Sequence, residues 1–219
     1  EIGVIGPQTE LRDALCRELA VRGAQVTAAE DLDALPQVDG VVDLCATAMP
    51  PTDDVPGRVA TTIAGLRPLY VRWESAREPI HGYVAVGALG GDLGLLCGAP
   101  RGNATLGLFG LAKALRQELP QTKGKAIDVD ARSRANDLAV RIVDELEDGN
   151  DCLEVGLADG RCVLTMQTDD DAVFDNTMAP VRHASDHRVA LFTGGGRGVA
   201  FECAMALASG GTTVIVTGR

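Results

Sequence analysis

Basic charge is scarce in this chain. Its only lysines are Lys113, Lys123 and Lys125, and 20 Lys and Arg face 31 Asp and Glu, giving a net charge of −11. Nucleic acids and anionic membranes are bound through clustered Lys and Arg, so a broad contact with either is excluded. Long apolar runs are also missing: none approaches the ~18 residues that cross a bilayer. The opening EIGVIGP has no basic stretch leading into an apolar one, so it does not read as a secretory signal. A cytoplasmic protein is expected. The sequence has no initiator Met and opens directly in a strand, which suggests a segment of something longer.

Metal-binding patterns are absent as well. The cysteines are Cys16, Cys45, Cys97, Cys152, Cys162 and Cys203. None forms a CxxC pair or lies near a histidine at zinc-ligand spacing. Most sit in apolar or small-residue runs, as buried thiols of a reducing compartment do. His183 and His187 are four apart but lie in a polar stretch, and His81 has no partner pattern. Asp169, Asp170 and Asp171 form an acidic run with no second ligand cluster, so they read as solvated linker. No metal site is expected.

What is present is core material. Of 219 residues, 46% are hydrophobic and 23% charged, with no long low-complexity tract, which suits one folded domain or one and a half. Residues 2–5 form a short apolar strand. Thr9 is placed to cap a helix ending at Gly23, with Leu11, Leu15 and Leu19 at helical spacing. Residues 24–28 can be a second strand and 38–46 a buried third. The Pro- and Asp-rich stretch 49–56 predicts loop, 59–66 a short helix, and 69–73 and 82–86 two further strands. A Gly-rich loop follows at 87–94, then a helix over 103–118 closed by Pro120, and a strand at 126–129. Asn136 is a candidate cap for a helix running to Glu147. Two alternating segments around Asp159 and Gly160 predict a β-hairpin over 153–165. Residues 168–187 read as a connector.

The pattern then restarts. Residues 188–193 are a strand, 194–198 (GGGRG) a glycine turn, 199–209 a helix ended by Gly210 and Gly211, and 212–217 a strand. Strand, glycine turn, helix and strand in this order form the context in which a glycine motif binds a dinucleotide. The glycines permit a tight turn, and the helix N-terminus favours an anion. The first turn of the chain, Gly6-Pro7-Gln8-Thr9-Glu10, occupies the same place in the earlier β-α-β. There Gln8, Thr9 and Glu10 would crowd and repel a pyrophosphate, so the opening looks like a dinucleotide fold that binds no dinucleotide.

The spacing of Thr193, Gly194, Gly198 and Ala200 resembles the TGxxxGxG turn of the short-chain dehydrogenase/reductase family, with Ala200 in place of the last glycine. The order of elements upstream is similar to that of ketoreductase domains of type I polyketide synthases and polyunsaturated fatty acid synthases. These resemble a doubled short-chain reductase whose first copy is shortened and structural. GLFGLAKALRQELP at 107–120, AIDVD at 126–130 and the hairpin from Glu154 carry that likeness, which covers nearly the whole chain.

The resemblance implies an α/β fold. It would be a Rossmann-like doubly wound sheet, a degenerate first copy at 1–167, a connector at 168–187 and the first β-α-β of an NADPH-binding copy at 188–219. It implies that Thr193, Gly194, Gly195, Gly196, Arg197, Gly198, Val199 and Arg219 bind the cofactor. Arg197 and Arg219 lie where a 2′-phosphate would sit, which favours NADPH over NADH. The substrate would be a β-ketoacyl chain on an acyl carrier protein, with other synthase domains in cis.

No catalytic residue is expected here. The first copy has neither the Ser nor the Tyr-x-x-x-Lys of the family, Tyr70 and Tyr83 read as packing residues, and Lys113 reads as a solvated face residue. The catalytic Ser, Tyr and Lys or Asn of the second copy would lie past Arg219. Two alternatives stand beside this reading: a non-catalytic scaffold module of such a synthase, and a free-standing NADP-binding reductase.

Overall fold

The computed structural model describes residues 1–48, 54–95, 104–148, 151–164 and 189–218. They fall into two compact units, Glu1–Thr165 and Met166–Arg219. The first unit is built on one seven-stranded sheet. Its strands are β1 (Ile2–Ile5), β2 (Val26–Ala29), β3 (Gly40–Asp43), β4 (Gly82–Gly87), β5 (Lys125–Val129), β6 (Glu154–Leu157) and β7 (Arg161–Val163), in spatial order β2-β1-β3-β4-β5-β6-β7. All pairings are parallel except that of β6 with β7. The helices are α1 (Glu10–Val21), α2 (Val55–Glu74), α3 (Ala104–Glu118) and α4 (Ala135–Glu147).

The central strands read as unbroken apolar runs because both of their faces are covered. Alternate residues divide between two cores, as a period of two requires. Val4, Val42, Val84, Val86, Ile127 and Val129 join Leu15 and Leu19 of α1 and Ile142 and Leu146 of α4. Ile5, Val41, Tyr83, Ala85 and Ala126 join Leu66, Leu69 and Trp73 of α2 and Leu108, Phe109 and Ala112 of α3. The sheet is therefore wound on both faces, with α1 and α4 on one side and α2 and α3 on the other.

Several local expectations need correction. Residues 69–73 are not a strand but the last turns of α2, which runs on from the short helix expected at 59–66. The buried residues Thr62, Leu66, Leu69 and Trp73 recur at helical spacing, and that stripe outweighs the β-like composition of the run. Pro68 sits inside the helix, and Trp73 is anchored by donating from Nε1 to the Val38 carbonyl at 2.9 Å. Residues 49–53 of the expected loop lie outside the described residues. Asp54 caps α2 by accepting from the Gly57 amide at 3.0 Å.

The third strand is shorter than 38–46. Asp43 accepts from the Cys45 amide at 2.8 Å and turns the chain out of the sheet into a short 3₁₀ turn, Cys45–Thr47. Asn136 is not the cap of α4: the helix starts one residue earlier, Arg134 is its N-cap without a side-chain bond, and Asn136 accepts from Arg17 of α1. Thr9 does cap α1, accepting from the Arg12 amide at 3.2 Å.

The hairpin forms around Asp159 and Gly160, with Val155 opposite Val163 and Leu157 opposite Arg161. Arg141 of α4 holds its turn by donating to the carbonyls of Ala158 at 2.5 Å and Gly160 at 2.7 Å. Below it lies a buried ion cluster. The Lys125 ammonium, 3% exposed, is 2.9 Å from Glu145, 6% exposed, and Arg161 donates to the other Glu145 oxygen. This ties β5, α4 and β7 together.

The second unit comprises β8 (Val189–Thr193), α5 (Gly198–Ser209) and β9 (Thr213–Thr217), a right-order β-α-β with the strands parallel and Thr193 opposite Thr217. Ala190, Phe192 and Val214 are half-buried, whereas Val189, Leu191 and Ile215 on the other face are about half to two-thirds exposed. The connector expected at 168–187, with its Asp run and both its histidines, lies outside the described residues.

Candidate functional site

The glycine turn of the second unit links β8 to α5. The amides of Gly194 and Gly195 both donate to the Thr217 carbonyl, at 2.6 and 3.2 Å, so the turn is tied to the end of β9. Gly194 and Gly198 have φ of +72° and +67°, the left-handed region that costs any other residue strain. Gly195 is buried, and a Cβ there would come within 2.7 Å of the Phe192 Cβ. Gly196 differs: its φ is not positive and a Cβ would meet nothing within 4 Å. The three adjacent glycines thus serve different purposes.

The N-terminus of α5 follows directly. Arg197 is its N-cap in extended backbone, no side chain caps the helix, and the first turn holds no acidic residue. Free N–H groups and the positive end of the helix dipole are thereby presented beside an open turn. Thr193, Gly194, Gly196, Arg197, Gly198 and Val199 are exposed there. Gly218 packs on the turn, its Cβ position 3.5 Å from the Gly194 Cα. Seven of the eight expected cofactor residues are contiguous in this turn; the eighth, Arg219, lies outside the described residues. The turn thus presents an uncapped helix N-terminus, which favours an anion, with Arg197 exposed beside it.

The matching turn of the first unit is built to a different end. Thr9 already caps α1, and Glu10 and Asp13 put negative charge in its first turn. Arg12 folds back and donates to the carbonyls of Gly6 at 2.7 Å and Ala29 at 3.3 Å, joining the ends of β1 and β2. A crevice of about 300 Å³ remains where the strand order reverses, lined by Thr9, Thr47, Ala88, Ser133 and Arg134 among others. Its helix terminus is capped and acidic, so it lacks the means to take a pyrophosphate.

The loop after β4, where the resemblance would place a catalytic Ser, is held by structural groups in the first unit. The loop after β4 has no serine; instead buried Asp128 of β5 accepts from the amides of Leu89, Gly91 and Leu93 at 2.5, 2.8 and 2.8 Å. Burial raises the Asp128 carboxyl above its usual range, opposed by those amides. Gly91 and Gly156 approach so closely that a side chain at either would strike the other's backbone or its neighbours. Asp128 belongs to the AIDVD stretch, whose role in pinning a distant loop the sequence reading missed.

Tyr83 is fully buried and donates to Asp43 at 2.8 Å; burial first, then Asp43, pushes its hydroxyl well above the ordinary range. Lys113 is not a free face residue, since its ammonium lies 2.5 Å from Glu154 of β6. His81 is half-buried, and burial together with Lys123 lowers its pKa. Among the described cysteines only Cys45 is buried; Cys16, Cys152 and Cys162 are half-buried and Cys203 is exposed, so the expectation of buried thiols holds for one. Burial and the Asp43 carboxylate push the Cys45 thiol up to about 12.

No group of three or more His, Cys, Asp or Glu that could hold a metal occurs among the described residues, and no helix there is long and apolar enough to cross a membrane.

No family model matches the sequence, and no curated protein matches it. Among solved structures, the chain is similar over its whole length to a multidomain structure comprising the adenylation, ketoreductase and pseudo Asub parts of a keto acid-selecting NRPS module. The identity is 13%, the TM-score 0.53, and the match covers 21% of that chain. The fold is Rossmann-like α/β, built on a mostly parallel sheet. A ketoreductase from the first module of phoslactomycin biosynthesis in Streptomyces sp. HK803 matches 99% of this chain and 44% of its own, at 18% identity and a TM-score of 0.41. The full-length peroxisomal multifunctional enzyme type 2 from Drosophila melanogaster matches 76% of this chain and 40% of its own, at 11% identity and a TM-score of 0.47. This chain thus spans less than half the length of each of these three structures.

Proposed function

We propose that this ketoreductase-like chain is part of the NADPH-dependent β-ketoacyl reductase of a multidomain, cytoplasmic polyketide or polyunsaturated fatty acid synthase. The observation that carries the reading is the pairing of two turns: one uncapped, glycine-built and open, the other capped, acidic and crossed by Arg12. The second unit supplies the phosphate turn, and the first braces the fold. Gly194 to Val199, with Arg197 and Arg219 toward a 2′-phosphate, would hold the cofactor. When bound, NADPH would supply the hydride that, together with a proton on the oxygen, converts a β-ketone to an alcohol.

The residues present have distinct tasks in that scheme. Backbone amides at the start of α5 neutralise phosphate charge, Gly194 and Gly198 allow close approach, and Thr217 fixes the turn through its carbonyl. In this scheme a Ser, a Tyr and a Lys or Asn from elsewhere in the synthase would handle the carbonyl oxygen. The apolar residues exposed on β8 and β9 support this, because parallel strands with apolar side chains on both faces are normally interior strands of a larger sheet. The acyl chain is presented on an acyl carrier protein, with other synthase domains on the same polypeptide.

The test is reduction of a β-ketoacyl thioester on a carrier protein by the whole synthase polypeptide, followed by NADPH consumption. Turnover that is lost on Gly198→Val supports the reading. NADPH binding without any reduction would leave a scaffold with a surviving cofactor turn, and absence of binding would remove the enzymatic reading altogether.

A further inference from the structure

We draw no further inference here: the strongest candidate, the apolar groove of about 450 Å³ between α2 and α3 lined by Ile63, Tyr70, Leu111 and Leu115, carries nothing because nothing in the structure shows what covers it.

Discussion

The Gly194 amide donates to the Thr217 carbonyl at 2.6 Å, fastening the start of the glycine turn to the end of β9. The Gly195 amide joins it on the same carbonyl at 3.2 Å, and α5 starts just beyond with no side-chain cap. In the first unit the equivalent amide, that of Gly6, donates to the Ala29 carbonyl at 3.2 Å, and the Arg12 side chain adds bonds to the carbonyls of Gly6 and Ala29. The two β-α-β turns share that backbone bond and differ in what surrounds it: a Thr9 cap, an acidic first helical turn and the Arg12 side chain in the first, none of these in the second.

The glycines of the turn are therefore unequal under mutation. Gly194→Val and Gly198→Val force a branched side chain to positive φ, at a cost of roughly 1–2 kcal/mol each. NADPH affinity should fall about five- to thirtyfold for each, since every 1.4 kcal/mol is about tenfold. Gly196→Ala meets neither obstacle and should change affinity far less. Fluorescence titration of the bound nicotinamide would rank the three, and equal losses at all three positions would refute the assignment.

Arg197 should discriminate between the two nicotinamide cofactors. A charge-assisted bond to a phosphate contributes about 1.5–3 kcal/mol. Arg197→Ala is accordingly expected to weaken NADPH roughly tenfold or more, with little effect on NADH. A parallel loss for both cofactors would mean that Arg197 does not face the 2′-phosphate.

Lys125 and Glu145 are buried together, with Arg161 on the second Glu145 oxygen. Lys125→Met leaves Glu145 with Arg161 and removes one buried charge-assisted bond, so it should cost about 1.5–3 kcal/mol of unfolding free energy, read by urea denaturation. The pH dependence follows from Glu145. Burial raises its pKa, but the bonds from Arg161 and Lys125 outweigh burial and the folded-state value is lowered. A lowered carboxylate contributes stability above its unfolded value and loses that contribution as pH falls through the folded one. The stability gap between the native chain and Glu145→Gln should be widest near neutrality and close below pH ~4. A gap that widens on acidification would contradict this arrangement.

Asp128 holds a loop it is far from in sequence. Asp128→Asn replaces one accepting oxygen with a donor facing backbone N–H groups, at a cost of about 1–3 kcal/mol. Hydrogen exchange should show faster exchange at Leu89, Gly91 and Leu93 while amides in the core of β1 stay protected. Unchanged exchange at those three residues would show that the loop is held by other contacts.

Thiol chemistry gives an independent check on burial. Cys45, pushed up to about 12, carries almost no thiolate at neutral pH, whereas Cys203 is exposed on α5. A maleimide should label Cys203 rapidly in the folded protein and Cys45 only after denaturation. Early labelling of Cys45 would mean that its pocket opens.

Much of this was legible in sequence where the signal is local. The apolar strands β1, β4 and β5, the Thr9 cap, the Asp159-Gly160 hairpin and the glycine turn each declare themselves within a dozen residues. The end of α2 did not. Leu69, Tyr70, Val71 and Trp73 have strand-like composition, and Pro68 ahead of them reads as a break, yet tertiary burial of Leu66, Leu69 and Trp73 on one face keeps the helix going. Asp128 was visible only as part of a motif, because its partners come from a loop nearly forty residues earlier. Lys113 looked free for the same reason, its partner Glu154 lying on a later strand. The different needs of Gly194, Gly195 and Gly196 depend on backbone angles and neighbours that the run of three identical letters conceals.

The most direct measurement is calorimetric titration of NADPH into the whole protein, beside its Gly198→Val variant. The account predicts saturable binding at one site per chain, weaker for NADH and weakened about five- to thirtyfold by the variant. Binding that is absent, or that Gly198→Val leaves untouched, would contradict the claim that this turn is the cofactor site.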